Sequence, residues 1–328
     1  MLFYEGASME KSMNELLIET TVNQAIKRIQ NDPERSTRNL VDIGLHFSNG
    51  RFQQKFLELL QKMLENEQSA YYRMIPDIMA NVDSKRITTF GINVGYHSCT
   101  KGARTIRELK ESSNFHIPWC IALDIDGVKY WEHRDYYHQL IEDGESLGIY
   151  TWIIYSSNGT SQILELAETF PDSAFVFCCS PTEINNALLD EASNIYNIMF
   201  AVLYVDDIEN ACQLLRDRKY LYSVLYVYDK DNVSYIMEGL ALEDLEILHP
   251  TFSIFMADTS CPQNLELDVY HYLQSARMNQ NYQTLPYDMV CDTLFIDKIV
   301  SGDAVIVRFD QLEQPLKDFL NAIFPQKG

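Results

Sequence analysis

The sequence has no long apolar run: nothing in its 328 residues approaches the roughly 18 to 20 apolar residues of a membrane-spanning helix, so no membrane association is expected. It is short of positive charge. Against 47 Asp+Glu there are only 26 Lys+Arg, a net charge of −21, which excludes a general attraction to nucleic-acid phosphates or anionic membranes. An export signal is not readable, because the opening MLFYEGASMEKSMNELL places Glu5 and Glu10 where a basic end and an apolar stretch would be needed. Cysteines are few and scattered. Seven of them without a secretory signal read as free thiols of a cytoplasmic protein, not as a disulfide framework.

What is present is enough hydrophobic material for a full-sized core, 46% of residues, with 22% charged, and a clear change of texture along the chain. Residues 10 to about 82 read as helices: Val22, Ala25, Ile26 and Ile29, then Phe52, Phe56, Leu60, Met63 and Leu64, recur at three- and four-residue spacing. Residues 1–87 are therefore expected to form a small helical domain. Its charge is nearly balanced, with 11 basic and 12 acidic side chains, so almost all the negative charge falls on residues 88–328.

Beyond residue 87 come short runs rich in β-branched and aromatic residues, at 88–94, 118–124, 150–156, 173–179, 197–205, 221–229 and 251–257. Each is apolar on both faces, the pattern of a strand buried in a parallel sheet. Helical spacing lies between them, as in TSQILELAETF and DDIENACQLLRDRK. Repeated βα units imply right-handed crossovers, and hence an α/β fold of the (β/α) partial TIM-barrel type over residues 88–260. The remaining residues, 261–328, are expected to add a β-hairpin turning at Ser301-Gly302-Asp303 and a closing helix.

In such folds reactive groups gather at the C-terminal strand ends. Candidates there are His97, Asp124, Asp126, Ser157, Asn158, Gly159, Asp206, Asp207, Asp229 and Asp258. A mouth lined by carboxylates suits a cationic ligand or a divalent metal, though Asp, Ser and Asn are also ordinary N-caps of the helices that follow strands. Arg216, Arg218 and Lys219 are read as helix-end cations complementing a dipole.

Residues 88–258, with TTFGINVGYHSCTKGARTIRE, IALDIDG and then IIYSSNGT, resemble in order and spacing the barrel of the radical S-adenosylmethionine superfamily. That resemblance implies a Cys-x3-Cys-x2-Cys loop after the first strand, holding a 4Fe-4S cluster that binds S-adenosylmethionine. From Cys99 the spacing calls for cysteines at 103 and 106, where the chain has Ala103 and Ile106. The expectation is therefore a relative without cluster or cofactor, a non-radical accessory or binding protein for a peptide, a protein partner or a cationic ligand. An alternative rests on Leu123-Asp124-Ile125-Asp126-Gly127-Val128, which resembles the first motif of haloacid-dehalogenase-like phosphatases. It implies Asp124 as nucleophile, Asp126 as general acid and a bound Mg ion, with Asp206 and Asp207 as metal ligands.

Overall fold

The computed structural model describes residues 65–112 and 115–309, with residues 20, 24, 38, 41, 42, 54, 58, 61–63, 316 and 320. Most of the helical bundle expected over residues 10–82 lies outside the described residues, as does the closing helix except at 316 and 320. Among the described residues no helix is long and apolar enough to cross a membrane.

The protein is α/β, built on a curled eight-stranded sheet, a half-barrel in which every neighbouring pair runs parallel. The strands are β1 (Cys120–Asp126), β2 (Thr151–Asn158), β3 (Ala174–Cys179), β4 (Ile198–Leu203), β5 (Tyr222–Tyr228), β6 (Phe252–Ala257), β7 (Leu285–Asp288) and β8 (Val307–Phe309). Strands β1 to β7 lie side by side in chain order, and β8 returns to the outer edge of β1. This is the order of a closed eight-stranded barrel cut open between β7 and β8.

Side-chain alternation divides each strand between two layers. Trp152, Phe175, Phe177, Phe200 and Phe255 are fully buried on the convex face, each contributing about 2 kcal/mol of burial. They pack against an outer layer that includes α4 (Arg134–Leu147), α5 (Thr160–Thr169), α7 (Ile208–Asp217), α9 (Leu240–Ile247) and α10 (Gln263–Asn279). Shorter helices, α6 (Asn186–Glu191) and α8 (Val233–Met237), complete the crossovers. The concave face carries Val176, Cys178, Met199, Ala201, Leu225 and Ile254.

The N-terminal helices close one end of this trough. Val82 and Phe90, near and within α1 (Tyr71–Asn81) and α2 (Ser84–Ile92), pack onto the concave side chains. A ten-residue π-helix, Asn93–Gly102, then passes beneath the sheet. Its buried polar side chains meet the N-terminal ends of the strands: the Asn93 amide donates to Pro171 O (2.8 Å) and Ser173 O (2.9 Å), and Ser98 and Thr151 share a hydroxyl contact of 2.7 Å. From there α3 (Ala103–Lys110) runs beside α4.

Two expectations are corrected. Residues 88–94 are helical, not a strand. The Asp83 carboxylate caps the amides of Lys85 and Arg86, and in α2 only Ser84, Lys85 and Gly91 are exposed. A helix buried nearly all round carries the same apolar run as a buried strand. The C-terminal hairpin is also absent. Its first arm is helix α11 (Cys291–Val300), started by Asp288 Oδ1, which accepts the amides of Val290 (3.0 Å) and Cys291 (2.6 Å). Gly302 does make the turn, at φ +88°, but β8 then pairs in parallel with β1 instead of folding back.

Candidate functional site at the C-terminal strand ends

The concave face is divided by depth. Helices α1 and α2 pack on it towards the N-terminal strand ends; towards the C-terminal ends, Tyr155, Leu203, Val227 and Met256 are partly exposed. Together they form an apolar trough leading to the strand ends.

At one side of this trough Asp124, the fifth residue of β1, faces inward. Arg308 of β8 reaches across with Nε at 2.7 Å from Oδ2 and Nη2 at 2.8 Å from Oδ1, a two-point pair. The guanidinium lies 4.7 Å above the Tyr155 ring, and the Tyr155 hydroxyl donates to the Met256 sulfur at 3.4 Å. Both tyrosine and neighbouring Cys178 are held protonated: burial raises the Tyr155 hydroxyl well above its ordinary value and pushes the Cys178 thiol up to about 12. The Asp124 and Arg308 side chains are 32% and 56% exposed, so the ion pair itself contributes only about 0 to 1 kcal/mol. Its effect is to orient both groups.

The other predicted residues do not converge. Asp126 Oδ1 accepts the Val128 amide (3.1 Å), with the Lys129 ammonium 3.8 Å from its second oxygen. Asp229 accepts the Asp231 amide (2.9 Å), and Asp258 the Ser260 amide (2.9 Å), which holds its carboxyl below the usual range. Asp206 and Asp207 are exposed, Asp207 in a left-handed conformation at the start of α7. These carboxylates rim the trough on separate loops, and most of them organise their own turns. His97 lies at the opposite end of the sheet, buried in the π-helix with Nδ1 2.7 Å from Asp172 O. Its expected position at a strand end followed from reading 88–94 as a strand.

Asn158 ends β2 opposite Asp126, across an irregularity between Ile125 and Asp126; the Ser157 side chain lies outside the described set. Gly159 starts α5 at φ +70°. The Asp126-Gly127 turn presses directly on this loop: a Cβ on Gly127 would stand 2.1 Å from Asn158 O and 2.3 Å from Gly159 O. Gly127→Ala is therefore expected to cost about 3 kcal/mol, read as a lowered urea midpoint, because backbone faces backbone and no side chain can swing aside. A loss under 1 kcal/mol would show that the two loops are not locked together.

Neither metal centre suggested by the sequence fits these residues. Among the described residues no three His, Cys, Asp or Glu side chains are placed to hold a metal ion. Asp124 is engaged by Arg308 and Asp126 by its own turn. For an iron-sulfur cluster, Cys99 is buried in the π-helix, and Ala103 and Ile106 stand where the spacing calls for its partner cysteines. The slot beside β1, which the resemblance gives to the strand feeding the cluster loop, holds β8.

The fold defines a half-barrel α/β protein whose concave face is packed by helices towards the N-terminal strand ends. No family model matches the chain, and no curated protein matches it.

Sequence reasoning overlooked Arg308, Tyr155, Cys178 and Met256. The arginine's only signal was a charge within the apolar run AVIVRF, and the other three looked like core.

Proposed function

We propose that the protein is a non-catalytic binding or accessory protein on a radical-SAM-like (β/α) scaffold, taking a peptide segment with apolar and basic side chains along the concave trough. One observation supports this reading: Tyr155, Leu203, Val227 and Met256 on the concave face are partly exposed towards the strand ends that carry Asp206, Asp229 and Asp258. Apolar side chains would lie on the trough. Basic ones would meet Asp206, Asp207 and Asp258, whose exposed carboxylates belong to the part of the chain that carries the excess negative charge. The missing cysteines at 103 and 106 support a loss of radical chemistry. The phosphatase alternative gains nothing comparable, since its nucleophile, Asp124, is held by Arg308 and β1 lies one strand from the sheet edge.

A peptide array probed with the full chain tests this. Peptides alternating apolar and basic residues are expected to bind at least tenfold better than their acidic counterparts, and Val227→Asp to abolish the signal. Equal binding of acidic peptides, or no effect of Val227→Asp, would remove the trough from consideration. Hydrolysis of a generic phosphate ester that disappears in Asp124→Asn would instead establish the phosphatase.

A further inference from the structure

The opposite end of the sheet carries a second feature, independent of the trough. Below β4 and β5 lies a cleft of about 410 Å³ whose walls include Arg86, Ser193, Tyr196, Arg218, Lys219 and Tyr220. Asp83 and Asp217 also line it, so three cations face two acids, a small local excess of positive charge in a chain with a net charge of −21.

Arg86 is the central observation. It is only 4% exposed, and its guanidinium donates to Ile195 O (2.5 Å), Ala192 O (3.2 Å) and Ser193 O (3.0 Å), all backbone carbonyls, while lying 3.8 Å above the Tyr220 ring. No carboxylate stands within 4 Å of it among the described residues. The buried positive charge is thus met at contact distance by backbone carbonyls and the Tyr220 ring and hydroxyl, with the Asp83 carboxylate acting on it from beyond 4 Å, so an anion in the cleft would add to its compensation. Lys219 adds an exposed ammonium, also without a carboxylate within 4 Å among the described residues, on a backbone held at φ +57° whose carbonyl accepts the Asp83 amide at 2.9 Å. The two acids of the cleft keep their charge but are oriented by neutral donors: Asp83 Oδ1 accepts the amides of Lys85 (2.9 Å) and Arg86 (3.2 Å), and Asp217 accepts the Gln213 amide (2.7 Å). Arg218 is paired with Asp190 and Asn186, and the Lys85 ammonium sits 3.7 Å above the Tyr196 ring at the rim.

We infer that this cleft binds a phosphate-bearing small molecule, its phosphate set against Lys219 and Arg218 near the Arg86 charge, with the Ser193 and Tyr196 hydroxyls as further donors. A phosphate dianion matches two or more separated cations and several hydroxyl donors better than a monovalent carboxylate does. The volume admits a small organic body as well as the phosphate.

Calorimetric titration of the full chain with inorganic phosphate and with glycerol phosphate, against acetate at equal ionic strength, tests the assignment. Saturable binding of at least one phosphate probe is expected, weakened tenfold or more in Lys219→Glu and in Arg218→Ala, both checked for unchanged circular dichroism. Lys129→Glu, at the far end of the sheet, should leave it unchanged. Tighter binding of glycerol phosphate would identify an ester as the ligand, and equal binding the free ion. Absence of saturable binding by both probes, affinity no better than for acetate, or full affinity in Lys219→Glu would overturn the assignment.

Discussion

Arg86→Met is expected to lower folding stability by about 3 to 5 kcal/mol, among the largest losses available to a single substitution in this chain. The methionine would fill much of the arginine's volume but donate nothing. The carbonyls of Ala192, Ser193 and Ile195, which end the α6 crossover just before β4, would lose the guanidinium that now serves all three. Burial lowers the arginine's own pKa, a sign of what it costs to hold the charge there, so the opposing gain from removing that charge is included in the range. Arg86→Lys should recover part of the loss, since an ammonium has three donors but lacks the planar fork. Urea unfolding gives the comparison. A loss below 1 kcal/mol in Arg86→Met would mean that the carbonyls find water instead.

Asp297→Asn is the second, expected at about 2 to 4 kcal/mol despite its near-identical shape. Asp297 is fully buried on α11, with Oδ1 accepting the Trp119 amide (3.0 Å) at the entry to β1 and Oδ2 accepting the Val305 amide (2.9 Å) at the entry to β8. An asparagine can satisfy one of these amides and must turn a donor towards the other. The same residue sets a pH dependence. Burial pushes the carboxyls of Asp297 and Asp288 up to about 6 from an ordinary 3.8, so between those values the folded state holds more protons than the unfolded one. Their contribution is complete below about pH 4 and is lost as pH rises through 6, on the order of a few kcal/mol for the pair. Glu165 acts oppositely. Burial works against its ionisation, but hydrogen bonds from Tyr130, Arg134 and His138 hold it down to about 2 from an ordinary 4.5, so its contribution is present above 4.5 and is lost as pH falls from there through about 2. Unfolding measured from pH 4 to 6.5 should show declining stability, with a shallower slope in Asp297→Asn. A flat profile would refute the assignment.

The strands from β1 to β6 were legible because each is a short run buried on both faces between helices of recognisable period. The same signal misled at 88–94, since helix α2, enclosed on almost every side, offers no polar face to mark its period. At the other end, β7 escaped notice because it has only four residues and one is Pro286, at home only at an edge such as this. The turn at Gly302 was visible, but not which strand would receive β8: parallel pairing with β1 depends on Asp297 and Arg308, which act on residues distant in sequence. The site divides similarly. That Asp229 and Asp258 cap their own turns is local chemistry and could be anticipated. The engagement of Asp124 by Arg308, and the collection of Arg86, Arg218 and Lys219 around one cleft, depend on the fold and left no mark on any short motif.

The return of β8 to the edge of β1 governs the order of assembly. From β2 to β7 each strand docks on the one synthesised just before it, so the sheet can grow unit by unit with modest loop closures. Asp124 and Arg308 are 184 positions apart, and the contact joining them closes by far the longest loop in the sheet. On loop-closure grounds β8 is expected to be the last strand to seat. Trp119, whose indole donates to Thr293 O (3.1 Å) and whose amide is held by Asp297, would report that final step by fluorescence once Trp131 and Trp152 are replaced by phenylalanine.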